Sequence, residues 1–334
     1  MPPAASRASM MLLAPGLTAI ELPADLTGRF VADLTRLLPA EGTLGLAVSG
    51  GPDSLALLLL AHAAVPGRIA AATVDHGLRA AAADEAALVA ALCAQLGVPH
   101  VTLSVTVAEG NVQAEARAAR YAALAEWMSA NELSALATAH HADDQAETLL
   151  LRLNRGSGVA GLAGVRERGL VPQTRLPLVR PLLGWRRSEL GQVVAELGIT
   201  AANDPSNADD RFDRARIRKV LAEADWLDVP ALSASAAHLA DADAALEWAA
   251  AREWQEAVTR VPMGLVYRPQ APRAIALRIL TRIVTELDGD TPRGSAVARL
   301  FDSLVARQPA SIGNLVARPL PEGWSFSKAP ARRG

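Results

Sequence analysis

The first 140 residues repeat one pattern, a short apolar run followed by a longer helical one, and this alternation limits the folds open to the chain. Leu44-Gly45-Leu46-Ala47-Val48 leads into Ser49-Gly50-Gly51, and Leu55 to Ala64 continues with helical character. Arg68 to Val74 is a second extended run closed by Asp75-His76-Gly77. Ala81 to Leu96 predicts a helix, with Gly97 at the C-terminal cap and Pro99 just beyond. His100 to Val107 predicts a third strand, Asn111 to Asn131 a helix and Ser134 to Ala139 a fourth strand. Strands alternating with helices of this length imply βαβ units and a parallel sheet. Ligands of such sheets gather at the carboxyl ends of the strands. The three most polar short segments, Ser49–Ser54, Asp75–Arg79 and His140–Glu147, all fall there, which points to one shared active site.

The pattern changes after Arg218. Residues 231–258 are Ala-rich with helical periodicity, Ala271 to Leu287 predicts another helix, and Leu315 to Ser327 predicts a small hairpin. The expected organisation is an N-terminal extension over 1–24, an α/β parallel-sheet domain over 25–224 and a smaller, mainly helical C-terminal domain over 231–334. The linker is read at Asp225–Pro230. The longest apolar run, Leu55 to Ala61, stops at His62, far short of the ~20 residues of a membrane-spanning helix. Met10 to Leu13 after Arg7 mimics a signal peptide weakly, and Pro15 and Gly16 break it. Cys93 is the only cysteine of the 334 residues. That excludes an intramolecular disulfide or a multi-thiolate cluster, and it suits a reducing cytoplasm.

The net charge of −2 hides blocks of alternating sign. Residues 1–151 carry net −8, 152–220 net +6, 221–250 net −6 and 251–334 net +6. Local basic faces of this kind suit contact with phosphates, and all but two of the 33 basic residues are arginine, the better bidentate phosphate ligand. The six tryptophans, Trp127, Trp185, Trp226, Trp248, Trp254 and Trp324, are expected in cores rather than as base-stacking platforms.

Ser49-Gly50-Gly51-Pro52-Asp53-Ser54 lies between a strand and a helix, the setting of an anion-binding loop. Two glycines allow close backbone approach and positive φ, and the helix N-terminus offers free N–H groups to phosphate oxygens. The absence of a following Gly-Lys-Ser/Thr separates this loop from a Walker A motif. His140-His141-Ala142-Asp143-Asp144-Gln145-Ala146-Glu147-Thr148 is the second cluster. Two adjacent histidines do not face one metal ion on regular structure. Asp144 with Glu147 three residues later predicts a capping box opening a helix from Thr148 to Leu153.

The strand-linked Ser-Gly-Gly-x-Asp-Ser loop resembles that of the PP-loop ATP pyrophosphatases. His-His-x-Asp-Asp-Gln-x-Glu-Thr, with Arg155-Gly156-Ser157-Gly158 and Gly161-Leu162 after it, resembles the tRNA(Ile)-lysidine synthase family within that group. Asp75-His76-Gly77-Leu78-Arg79, Glu115-Ala116-Arg117 with Arg120-Tyr121, and Asp204-Pro205-Ser206-Asn207 agree with it, in order, over residues 43–220. One departure is Arg214-Ala215-Arg216-Ile217-Arg218, where the family usually has Asn at the position of Ala215.

The resemblance implies a two-step ligase. ATP adenylates C2 of the wobble cytidine in a tRNA(Ile) with a CAU anticodon, releasing pyrophosphate. The ε-amine of free L-lysine then displaces AMP to form lysidine, and the codon read changes from AUG to AUA. By position, Ser49, Gly50, Gly51, Pro52, Asp53 and Ser54 bind ATP, with Asp75 and His76 near the nucleotide and Asp53 placing Mg²⁺. His140, Asp144 and Glu147 handle lysine: Asp144 stabilises charge on the attacking nitrogen, and Glu147 or His140 takes its proton. Arg214 meets the adenylated intermediate, and Arg117, Arg120, Arg155, Arg216 and Arg218 are candidate phosphate or RNA contacts. The basic blocks would meet tRNA, and a homodimer is a further expectation. The rivals are a PP-loop tRNA thiolase, which needs more thiols than Cys93, a small-molecule amidoligase of the NAD or GMP synthetase type, and a non-catalytic nucleotide-binding module.

Overall fold

The computed structural model describes residues 22–38, 41–77, 81–106, 112–202 and 213–329. Most of the N-terminal extension, Leu78 with Arg79, and Asp204–Asn207 lie outside the described residues. The chain forms two compact units, Met1–Ala237 and His238–Gly334.

The first unit is built on six strands: β1 (Leu44–Ala47), β2 (Ile69–Asp75), β3 (His100–Ser104), β4 (Ala135–Ala137), β5 (Arg168–Leu170) and β6 (Pro177–Val179). They lie in the order β3-β2-β1-β4-β6-β5. All neighbours are parallel except the edge pair β5 and β6. Helices α1 (Ala24–Leu37), α2 (Pro52–Ala64), α3 (Ala81–Leu96), α4 (Val112–Ala130), α5 (Ala142–Asn154), α6 (Val159–Leu162), α7 (Arg187–Glu196) and α8 (Asp213–Glu223) complete it, and α9 (Val229–Ala257) begins in it. The four expected strands and the helices between them are present, shifted by at most a few residues. The three-residue strands β5 and β6 were not foreseen, because Gly169 and Pro177 interrupt them and no helix separates them.

Side chains of the sheet alternate between two cores, as strand geometry requires. Leu44 and Leu46 of β1, Ile69 and Ala71 of β2 and Ala135 and Ala137 of β4 face the core that holds Phe30, Leu92, Trp185 and Val193. Ala72 of β2, Leu136 of β4 and Leu178 of β6 face the other, with Tyr121, Leu124 and Met128 of α4. Gly45 belongs to that second face, because an added Cβ would come within 3.0 Å of Leu133 and Trp127. Helix α2 has no polar side to offer: Leu55 to Ala61 are all fully buried, as expected of a helix apolar all round. The longest apolar run is therefore a core helix. No helix among the described residues is long and apolar enough to cross a membrane. The Trp185 indole N–H donates to Asp33 at 2.9 Å, with the Arg29 guanidinium over its ring.

The second unit takes the rest of α9, β7 (Val258–Val261), β8 (Gly264–Tyr267), α10 (Arg273–Asp288), α11 (Gly294–Val305), β9 (Ala310–Ile312), β10 (Leu315–Leu320) and β11 (Gly323–Lys328). The expected hairpin is β10 and β11, paired from Leu315↔Lys328 to Leu320↔Gly323. It lies inside a five-stranded antiparallel sheet, β7-β8-β11-β10-β9, so this helical region also carries a small sheet. Trp324 packs edge-on against Tyr267 and Phe301. Glu253 accepts from Tyr267 Oη at 3.0 Å and from the amides of Gln270 and Ala271, fastening α9 to the start of α10. Trp226 and Trp248 depart from the expected burial, at 78% and 64% exposed. Trp226 lies in the short connection between α8 and α9 and Trp248 on an outward turn of α9, where the Arg252 guanidinium covers its ring.

Leu58→Ala should destabilise the first unit by about 2–5 kcal/mol, the usual cost of truncating a fully buried leucine. Urea denaturation of the two proteins, followed by circular dichroism, measures it.

Candidate active site

Strand order reverses beside β1. The chain leaves β1 through α2 to reach β2 on one side, and returns from β3 through α4 to β4 on the other. The carboxyl end of β1 is thus the topological switch point, where doubly wound sheets open a crevice. Residues 49–54 occupy it. Gly50 has φ +88, a left-handed conformation that a side chain would strain. The Ser54 hydroxyl accepts from Ser49 N at 3.1 Å and donates to Gly51 O at 2.9 Å, which binds the loop to itself. Ala202 N donates to Gly50 O at 3.0 Å from the segment after α7. Gly51 caps α2 without a side-chain hydrogen bond and Pro52 occupies the first turn, so the helix N-terminus faces the crevice with unspent N–H groups. The Asp53 Oδ1 atom is buried with no hydrogen-bond partner among the described residues.

The ends of β2 and β4 flank the loop. At the end of β2, Asp75 Oδ1 accepts from Gly77 N at 2.8 Å, and His76 stands between them. The segment after β4 carries Thr138, His140 and His141 into α5. The predicted capping box is present one turn earlier than expected. His141 is the N-cap, its Nδ1 accepting from Asp144 N at 3.4 Å while Asp144 Oδ2 accepts from His141 N at 3.2 Å. Helix α5 accordingly starts at Ala142 rather than Thr148. An imidazole nitrogen does here what Ser, Thr, Asp or Asn usually does.

The two histidines diverge. His140 Nδ1 lies 3.0 Å from Thr138 Oγ1. Burial pushes its pKa down to about 4, with the Arg180, Arg117 and Arg120 charges helping and Asp144 opposing. His141, 3% exposed, brings its Nε2 to 3.5 Å from Asp53 Oδ2 and 3.6 Å from Asp144 Oδ2. Burial would lower its pKa, but the Asp53 hydrogen bond and the charges of Asp144, Asp53 and Asp143 outweigh it and raise the value. Asp143 accepts from Arg187 N at 2.8 Å and from the Arg186 guanidinium; burial would raise its pKa, and these donors hold it below the ordinary carboxylate range.

Glu147 is 2% exposed and is held by Arg218 of α8, with Nε at 2.8 Å from Oε1 and an Nη at 3.4 Å from Oε2. A carboxylate this buried needs a counter-charge to stay ionised. Burial lowers the Arg218 pKa, and Glu147, Asp144 and Asp53 more than restore it. Arg218 thus points into the cluster, where the sequence suggested an outward phosphate contact. Ala215, at the position of the family's usual Asn, is buried in α8. Arg155 and Arg216 both pair with Asp213, away from the Glu147 carboxylate. Arg214 is exposed one turn before Arg218, and Arg117 and Arg120 lie over the Tyr121 ring at 5.0 and 5.3 Å.

The structure therefore gathers Asp53, His140, His141, Asp144, Glu147 and Arg218 beside the 49–54 loop. His141 was missed as a site residue because its motif neighbours drew attention first. Gln145 was also missed; its amide clasps Val165 N and O at 2.7 and 2.8 Å. Arg180, buried after β6 and bonded to Arg166 O, carried no local signal.

With a pKa of about 4 in the fold against roughly 6.5 unfolded, His140 binds its proton more readily in the unfolded chain. The stability it contributes is complete above pH ~6.5 and is lost as the pH falls toward 4. His140→Gln should therefore flatten the decline of melting temperature between pH 7 and pH 5. Imidazole NMR of the wild type should show this ring neutral at pH 5.

The comparisons agree with this geometry. The PP-loop domain family model matches residues 27–224. The tRNA(Ile)-lysidine synthase of Novosphingobium aromaticivorans is 48% identical over 91% of this chain and 94% of its own length. That of Zymomonas mobilis subsp. mobilis is 40% identical over 88% and 91%. Among solved structures, the U34-tRNA thiolase NcsA from Methanococcus maripaludis, described with its 4Fe-4S cluster, superposes with a TM-score of 0.53 at 16% identity, covering 64% of this chain and 78% of that one. That likeness concerns the fold alone. A PP-loop domain at 27–224 and 40–48% identity along nearly the whole length of such relatives lead to one conclusion: this chain belongs to the tRNA(Ile)-lysidine synthase family.

Proposed function

We propose that the chain is an ATP-dependent ligase that forms lysidine at the wobble cytidine of a CAU-anticodon tRNA(Ile), in the cytoplasm, from free L-lysine. The observation that carries the site assignment is the meeting of an anion-binding loop with the carboxylate end of α5 at one switch point. Asp53 and Asp144 lie on the same imidazole there. The loop amides and the α2 N-terminus receive the phosphates, so that positive potential faces the pyrophosphate as its charge develops. Asp75 and His76 flank the nucleotide. The catalytic domain is read as 25–224, and 231–334 as a tRNA-contacting region whose arginines meet phosphates.

The buried, unpartnered Asp53 Oδ1 fits Mg²⁺, a hard cation that is usually held by one or two carboxylates together with substrate phosphates. Bound there, Mg²⁺ would withdraw charge from the phosphate oxygens as pyrophosphate leaves.

Lysine transfer poses a charge problem. The ε-ammonium has a pKa of ~10.4, and neighbouring anions raise it, yet attack requires the neutral amine. Positioning therefore contributes most. Asp144, partly open to the crevice, is proposed to hold the nitrogen and stabilise its developing charge. Glu147 is engaged by Arg218 on both oxygens and the His140 ring is a weak base with a pKa of about 4, so Glu147 or His140 is proposed to take the proton only from the nitrogen already bonded to C2, where it is far more acidic than on free lysine. Arg214 is assigned to the adenylated intermediate, and Arg117 and Arg120 to RNA phosphate.

The thiolase reading is disfavoured by Cys93, the one cysteine of this chain, which is buried and pushed up to about 12 by that burial; a thiolate is the reactive form.

Asp144→Asn retains an oxygen for the α5 capping box. It should reduce incorporation of radiolabelled lysine into a CAU-anticodon tRNA(Ile) transcript by at least ~100-fold, while tRNA-dependent pyrophosphate release stays within a few-fold. Equal loss of both would remove Asp144 from lysine handling. Initiator tRNA(Met) should take up no lysine.

A further inference from the structure

We propose that His141 is a positioning residue that aligns Asp53 for Mg·ATP, a role separate from its capping of α5. The proposal rests on the reading of Asp53 as the Mg²⁺-facing carboxylate. The two ring nitrogens of His141 face different tasks. Nδ1 accepts from Asp144 N and closes the N-terminus of α5. Since Nδ1 is the acceptor, the proton belongs on Nε2, and Nε2 lies between Asp53 Oδ2 at 3.5 Å and Asp144 Oδ2 at 3.6 Å.

Asp53 sits in the first turn of α2, and among the described residues its Oδ1 has no donor at all. The imidazole Nε2 approaches Oδ2 to 3.5 Å, which places its N–H to hold that oxygen. Fixing Oδ2 sets the direction of Oδ1. This is the arrangement by which an outer hydrogen bond orients a metal-binding carboxylate, and removing such a partner typically costs roughly 10–100-fold in metal affinity or activity. Burial of the ring, at 3% exposure, keeps water from substituting for it. The same N–H also faces Asp144, so one imidazole couples the ATP loop to the lysine end of the site. A helix cap alone needs none of this, and an Asn or Ser would suffice.

Two amide variants separate the tasks, because the Asn side chain mimics Nδ1 and the longer Gln side chain mimics Nε2. His141→Asn retains a cap and cannot reach Asp53. His141→Gln restores a donor near the Nε2 position and weakens the cap. Each is compared with the wild type by the melting temperature of the full chain without ligand, and by calorimetric ATP binding without tRNA, in Mg²⁺ and in EDTA. The expected result is that His141→Asn keeps its melting temperature within a few degrees while its ATP affinity in Mg²⁺ falls roughly 10–100-fold, toward the EDTA value. His141→Gln should melt lower and recover most of the Mg²⁺-dependent affinity.

Wild-type Mg²⁺ dependence in His141→Asn would reduce His141 to a cap and overturn the proposal. Equal loss in both variants would overturn the assignment to Nε2. Asp53→Asn is the control on the underlying reading. If it leaves the Mg²⁺ effect intact, the assignment of Asp53 is wrong; if it abolishes the effect and His141→Asn does not, the inference about His141 alone fails.

Discussion

Everything in the site depends on the reversal of strand order beside β1. A parallel sheet gathers the carboxyl ends of its strands along one edge, and the reversal parts the connections there and leaves a crevice. Residues far apart in the chain, Asp53, Asp75, His140 and Asp144, are thereby brought to one edge without any long loop. The strands need only be short and apolar for this to work. Gly45, set close to Trp127 and Leu133, shows how closely the central strand is packed from behind.

Burial of charge governs the second level of organisation. Glu147 and Arg218 neutralise each other beneath the crevice, Asp143 is answered by the Arg186 guanidinium and the Arg187 amide, and His141 sits among Asp53, Asp143 and Asp144. Each acid of α5 thus has a distinct counterpart, and this makes chemically similar carboxylates different. Asp144 meets the amide and the imidazole of His141, a pairing different from those of Asp143 and Glu147.

Periodicity made the parallel sheet and its helices legible, because strands such as β2 and helices such as α3 are long enough to show their repeat. It was silent on β5, β6, β7, β8 and β9, whose three or four residues stand outside the regular strand–helix alternation that made the equally short β1 and β4 legible, and the C-terminal sheet was reduced to its one hairpin. The 49–54 loop was legible from residue type, as glycines and a cap-forming serine have few other uses between a strand and a helix. The start of α5 was misplaced because histidine is not among the usual N-caps. Charge counts registered the arginine-rich blocks but could not tell Arg218, turned inward to Glu147, from Arg214, exposed one turn away. Pairing is a property of three-dimensional neighbours that block sums do not contain. Trp226 and Trp248 show the same limit for burial.

Helix α2 is enclosed on every side by apolar neighbours, and the loop at 49–54 is its first turn and the approach to it. Ligand-binding loops are commonly drawn from the least protected parts of a protein. Here the loop is anchored to the element whose amides have the fewest routes to solvent, so that its backbone N–H groups hold their directions before any phosphate arrives. Hydrogen exchange in α2 would then report whole-unit opening rather than local fraying. Little conformational entropy would be left for a nucleotide to remove.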